Sequence, residues 1–269
     1  MKHKQLTIVA ASLVTVLLPA HATAQSRPKL HVNPRWKQCS FQLDSSLTQS
    51  AWHQFTQEAG QVVYFRPLTD ARPMGRGKFE LSLMQWQTNV DDGSSAWNDT
   101  FVHPDSTHWL YEGSGLRFPG LALRAGVTST SDVGLYFTKN VQANYGVYGL
   151  QLQQNLVRGG ARDWDVSARA SFMSLFGPAD LDLKVYGVDV VTSWKQWTYK
   201  RATVVPYAGL ATYLSSSHEK TAAVTLADEH VIGVMATVGT ELQFSALRLA
   251  AEASVAKLPS ISMKLGISR

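Results

Sequence analysis

The sequence predicts an antiparallel transmembrane β-barrel of about ten strands, preceded by a short helical appendage. Three observations carry this. From residue 78 to residue 269 apolar and polar residues alternate with period two in repeated runs, no apolar stretch after residue 24 reaches the length of a membrane helix, and the chain opens on an export pattern. Bulk composition fits: 45% of residues are hydrophobic and 10% aromatic, yet mean hydropathy is slightly negative. A barrel produces this combination because apolar residues occupy every second position and no window looks greasy. A soluble β-sandwich shares the composition, so periodicity and context must separate the two.

The N-terminus reads as a secretory signal. Lys2, His3 and Lys4 form a basic start, Leu6 to Leu18 an apolar run of 13 residues, Pro19 a break, and Ala22-Thr23-Ala24 a small-residue cleavage site. The run falls short of the roughly 20 residues that a membrane helix needs. Residues 1–24 are therefore expected to be removed, leaving a mature chain from Gln25. Losing Lys2 and Lys4 lowers the formal net charge from +5 to +3, too mild and too dispersed for a nucleic-acid partner. The single cysteine, Cys39, excludes an internal disulfide and a cysteine zinc cluster. It lies too far past the cleavage site to be a lipid-attachment residue and reads as a free thiol.

Residues 25–77 form the appendage. Leu47, Ala51, Phe55 and Ala59 recur every four residues, placing them on one face of a short helix that Gly60 is expected to end. Residues 62–65 read as a short extended piece, and Pro67, Pro73, Gly75 and Gly77 as an irregular connector. The appendage is expected to cap the periplasmic end, to plug the barrel, or simply to pack on the first strands.

Residues 78–269 form the barrel. The last run sets Ile261, Met263, Leu265 and Ile267 against Ser262, Lys264, Gly266 and Ser268; before it Leu247, Leu249, Ala251 and Ala253 oppose Arg248, Ala250, Glu252 and Ser254. Similar alternation marks residues 232–242, 164–172 and 121–128, with weaker runs at 78–89, 133–138, 145–156, 181–194 and 202–214. Ten strands in 192 residues leave room for membrane strands of roughly 9 to 11 residues each. Connections are tight on one side (129–132, 157–162, 195–201, 243–245). The opposite side carries the long ones, 90–119 and 215–230, with shorter links at 139–144, 177–180 and 258–259. That asymmetry is the one between periplasmic turns and extracellular loops.

Polar phases of these strands hold Glu80, Arg124, Arg169, Glu241, Arg248, Glu252 and Lys264. Three acids against four bases suit a lumen charge network, because enclosed charges must pair. Trp164, Phe172, Phe176, Trp194, Trp197, Tyr199, Tyr213 and Phe244 fall near strand ends, where interfacial girdles sit.

The signal peptide, the alternating strands and the closing strand ISMKLGISR resemble the bacterial outer-membrane β-barrel superfamily. FRPLTDARPMGRGKFELSL and GLRFPGLALRAGVTSTSDVGLYFT are similar to segments of uncharacterised Gram-negative barrel proteins, over roughly residues 60–269. The resemblance implies fold and cell outer-membrane location, and brings no catalytic residue with it. The chain departs from it in ending Ile267-Ser268-Arg269 rather than in Phe or Trp, the signal that the barrel-assembly machinery reads. The expected role is structural or narrow, porin-like passive transport without turnover. The expected partners are outer-membrane lipid, lipopolysaccharide and the assembly machinery, with no cofactor, no metal and no defined small-molecule ligand.

The enzymatic alternative is a surface hydrolase of lipid or peptide at the extracellular rim. Ser215-Ser216-Ser217-His218-Glu219, read as a loop, supplies a serine and a histidine, the pair a nucleophile and its base require. Asp91, Asp92, Asp99, His103 and His218 offer the residue types that ten-stranded outer-membrane proteases hold above the rim, without a motif match. Residues 89–99 are rich in oxygen ligands but lack the spacing of a calcium loop, and His103, Asp105 and His108 hint only faintly at a metal.

Overall fold

The computed structural model describes residues 39–102, 111–112, 115–139, 143–159, 164–194 and 196–269. The expected signal peptide, and His103, Asp105 and His108, lie outside the described residues. Ten long strands carry the fold: β1 (Phe79–Asn89), β2 (Gly115–Gly126), β3 (Ser131–Lys139), β4 (Gly146–Val157), β5 (Asp165–Phe176), β6 (Leu181–Ser193), β7 (Ala202–Glu219), β8 (Glu229–Phe244), β9 (Leu247–Val255) and β10 (Pro259–Ser268). Each pairs antiparallel with its sequence neighbours, and β10 returns to β1 with Leu265 opposite Leu83, closing the barrel. No sheet edge is left for lipid to meet, which is the condition for strands to cross a bilayer.

Alternation sorts the side chains. Along β1 the residues from Glu80 to Thr88 are alternately buried, while Leu81 and Leu83 are exposed. Around the wall Leu123, Leu150, Val188, Leu210, Ile232, Val234, Leu249 and Ile261 all point outward, Ile232 being 70% exposed. An apolar exterior over a closed sheet is a lipid-facing surface. Trp164, Trp194, Trp197, Tyr199 and Phe244 are exposed near the mouth with the short turns. In the other half Phe172 and Phe176 join Phe137, Tyr148 and Tyr186 in an outward aromatic patch, with Phe172 and Tyr186 centroids 5.2 Å apart. Tyr213 does not belong to a girdle. It is buried inside, beside Tyr64 and against Gly233 of the paired strand.

The described part of the appendage, residues 39–77, lies in the lumen. Helix α1 (Gln49–Val63) sits in the half nearer the long connections, capped by Thr48, whose hydroxyl accepts the Ala51 N–H. The connector 64–77 then descends to the turn-side mouth, where Gly77 N–H bonds the Gly126 carbonyl at 3.0 Å. A two-residue ribbon, Ser40–Phe41 with Phe101–Val102, and the short helix α2 (Ser95–Asn98) close the loop-side mouth above α1.

Gly60 does not end the helix, which runs three residues further through Val63, so residues 62–63 are helical rather than extended. The glycine is there for space. A Cβ at position 60 would stand 2.5 Å from Ser215 Cβ and 2.9 Å from the Tyr213 ring. Gly60→Ala is expected to push α1 off the wall and cost about 1–3 kcal/mol, the usual penalty of overpacking. Ser215→Gly in the same chain should recover part of that loss. An unfolding titration in detergent measures both, and strict additivity of the two changes would count against this contact.

Candidate functional site

Among the described residues buried polar groups concentrate in the interior, which has two layers. The loop-side half is an apolar core, not the polar lumen that alternation implied. Trp52 and Phe55 stack with centroids 5.4 Å apart, Trp97 packs edge-on to Phe55, and Trp86 stacks on Phe118. Trp86 donates its indole N–H to the Val62 carbonyl at 2.7 Å, and Glu58 accepts from the Trp97 indole at 2.6 Å. The inward wall residues Trp86, Phe118, Leu183 and Val185 are apolar because they cover the helix rather than water, while Ser215 and Ser217 meet it through small hydroxyl side chains. Cys39 is fully buried at this mouth, and burial pushes its thiol up to about 12. It is an inert thiol under ordinary conditions.

The turn-side half is ionic. Glu80, Arg124, Arg169, Glu241, Arg248, Glu252 and Lys264 all occupy inward wall positions, Arg124 and Arg248 being half-buried and the other five buried. Lys264 Nζ lies 2.8 Å from Glu80 Oε1 and 3.6 Å from Glu241 Oε2, and Arg248 Nη1 stands 3.8 Å from Glu241. Arg124 pairs with Asp132 at 2.5 Å and Arg169 with Asp189 at 3.1 Å. Glu252 stands apart from the Lys264 cluster. It accepts a hydrogen bond from Tyr207 at 3.2 Å, and Arg66 and Arg169 supply its nearby positive charge.

The threaded connector completes this layer with residues that strand periodicity did not reveal. Arg66, 1% exposed, donates to the Gln61 carbonyl at 2.8 Å and lies over the Trp86 ring, 5.5 Å from its centroid. Asp70 holds Arg72 through two guanidinium bonds, and Tyr64 donates to Asp189 at 2.9 Å. The Ala71 carbonyl accepts from Asn155 and Ser167, and Met74 N–H bonds the Asp132 carboxylate. In this layer Arg66, Arg72, Arg124, Arg169, Arg248 and Lys264 thus meet six carboxylates, Asp70, Glu80, Asp132, Asp189, Glu241 and Glu252, while Glu58 in the loop-side half pairs with Lys257 at 3.2 Å. Equal numbers of opposite charge satisfy the condition for keeping ions out of water. A cavity of about 450 Å³ remains at the turn-side mouth, between Thr69, Arg72, Lys78 and Arg248.

Among the described residues the hydrolase candidates do not converge. Ser215 to Glu219 belong to β7 rather than to a loop, so neighbours in that run point to opposite faces. Ser217 is buried and its hydroxyl bonds Thr56 of α1, whereas His218 is exposed and pairs with Asp228 at 2.6 Å. A second histidine, His53, pairs with Glu229 at 2.7 Å on the rim. Asp91 accepts from the Gly93 N–H in a local turn. Among the described residues no group of three or more His, Cys, Asp or Glu side chains is placed to hold a metal.

A closed antiparallel barrel with an apolar exterior and paired charges within is the architecture of an outer-membrane β-barrel protein. No protein-family model and no curated protein matches the chain. Solved structures similar to it include the N-terminal β-barrel domain of Pseudomonas aeruginosa OprF (11% identity, 73% of this chain and 100% of that one, TM-score 0.30). Ail, the attachment invasion locus protein of Yersinia pestis, matches at 13% identity over 72% of this chain and 99% of that one (TM-score 0.29). The β domain of the Bordetella autotransporter BrkA matches at 10% identity over 72% and 98% (TM-score 0.40).

Proposed function

We propose that this chain is an outer-membrane barrel with a structural, non-conducting role and no enzymatic turnover. It reaches the membrane after export by the signal peptide at residues 1–24 and insertion by the barrel-assembly machinery. The observation that carries the reading is the threaded segment. Helix α1 fills the loop-side half, and the connector, anchored by Arg66, Asp70 and Ala71, crosses the ionic half. Ten strands enclose little more than their own side chains, so a segment threaded through them takes up space that a water path would need. The occupied lumen favours a structural role over passive transport.

Planar-bilayer recording of the purified full-length protein tests this. No steady single-channel current is expected at moderate voltage. Large, steady currents would show that the segment leaves the lumen, and the transport role would then replace the structural one.

A further inference from the structure

The outer wall carries a groove of about 710 Å³ across β9, β10, β1, β2 and β3. One edge is the apolar row Leu249, Leu265, Leu83, Leu121 and Phe137, each opposite the next on paired strands. Counted from the short turns, these are the third, fourth, fifth, sixth and seventh residues of their strands. Strand tilt carries each paired position higher than the last, so the row climbs from the turn side toward the loop side instead of girdling the barrel. A groove with this course runs along a lipid chain rather than across it.

The other edge ends in polar groups. Gln85, seventh in β1, lines the groove from an outward position, and its amide makes no hydrogen bond among the described residues. Pro119 stands opposite it, and Lys139, the last residue of β3, lies beyond. Lys139 Nζ donates to the Ala143 carbonyl at 2.6 Å and to the Tyr145 carbonyl at 3.4 Å. Those bonds engage two of its three donors, and no carboxylate pairs with it among the described residues. The outward positions of β10, β1, β2 and β3 hold no Asp or Glu. Arg117, the other cation on this face, donates to Gln87 at 3.0 Å. Hydrocarbon chains offer the Gln85 amide no partner, and the Lys139 ammonium keeps an uncompensated charge.

We propose that this groove holds one acyl chain of lipopolysaccharide, with a phosphate of its lipid A on Lys139 and the polar groups at the head of the chain on Gln85. With longer loops extracellular, Lys139 stands at the outer headgroup level, where lipopolysaccharide presents its phosphates. Charge complementarity selects a phosphorylated lipid, and the climbing apolar row selects one with its chain against the wall. The site requires only that the wall face lipid, whether or not the lumen conducts.

Native mass spectrometry of the full-length protein, titrated in detergent with purified lipid A or with phosphatidylglycerol, tests this. One lipid A is expected to stay bound under collisional activation that removes phosphatidylglycerol. Lys139→Gln should weaken lipid A binding about fivefold, the contribution of one lysine at an anionic lipid surface. Met263→Trp, which fills the groove from its edge, should weaken it as well. Lys184→Gln removes an exposed cation from β6, away from the groove, and should leave binding unchanged. Heat-modifiable gel mobility like that of the parent identifies the variants that have folded. No retained lipid A, or full retention by both Lys139→Gln and Met263→Trp, overturns the site. An equal loss with Lys184→Gln reduces it to general charge attraction and overturns it too. Equal retention of phosphatidylglycerol overturns lipopolysaccharide as the occupant.

Discussion

Lys264→Ala is expected to destabilise the barrel by about 3–5 kcal/mol, the cost of stranding buried carboxylates. The Lys264 side chain is 1% exposed and serves two acids at once, Glu80 at 2.8 Å and Glu241 at 3.6 Å. Without it Glu80 loses its cation. Glu241 loses its closest lysine and keeps the Gln243 amide at 3.1 Å and Arg248 at 3.8 Å, with Arg124 and Thr69 also near it. Both side chains are 5% exposed or less, although both line the cavity at the turn-side mouth. The control is the triple change Lys264→Met, Glu80→Gln and Glu241→Gln, which removes all three charges and should cost far less than the single change, since an apolar or neutral replacement of a buried ion group is often tolerated. Urea titration in detergent or lipid measures both. A loss below about 1 kcal/mol for Lys264→Ala would show that water reaches the site and that the turn-side layer is not closed.

The wall was legible in the sequence and the contents of the barrel were not, for one physical reason. Strand periodicity is local: each of the ten strands shows itself in its own residues, because lipid imposes an apolar outward phase along its whole length. Boundaries moved at strand ends: β2 starts at Gly115 rather than at 121, and β5 runs on to Phe176. β7 continues to Glu219 and β8 begins at Glu229, and in these ends polar residues occupy both faces. The inward phase has no such uniform rule. In β6 the inward residues Leu183, Val185 and Val191 are as apolar as the outward Val188 and Val190, because they cover the threaded segment. Asp189 sits in the same phase, and its charge was hidden by that ambiguity. Residues 64–77 carry no period at all. Their conformation follows from bonds to strands more than fifty positions away, as with Met74 to Asp132 and Ala71 to Ser167. Gly60 was misread for a related reason, since its role is set by Ser215 across the lumen rather than by the helix that contains it.

Leu249→Arg is expected to destabilise the barrel, by less than the roughly 2–4 kcal/mol of a cation at the bilayer midplane, because Leu249 is the third residue of β9 from the short turn. Leu249 lies opposite Leu242 on β8 and Leu265 on β10, within an outward apolar row that continues through Leu83 and Leu121. Leu249→Ala, by contrast, removes only contact with lipid and should be nearly silent. On the same strand Glu252 points inward to Tyr207, with Arg66 beyond it. Glu252→Ala should cost on the order of 3 kcal/mol by leaving a buried guanidinium without its carboxylate. The ranking is the informative quantity: Leu249→Arg and Glu252→Ala damaging, Leu249→Ala mild. A soluble sandwich would reverse it, because Leu249 would then be core and Glu252 solvated. Reversible unfolding in lipid vesicles gives all three values under one condition. If Leu249→Ala proves more damaging than Glu252→Ala, the outward face is not in lipid and the membrane barrel is wrong.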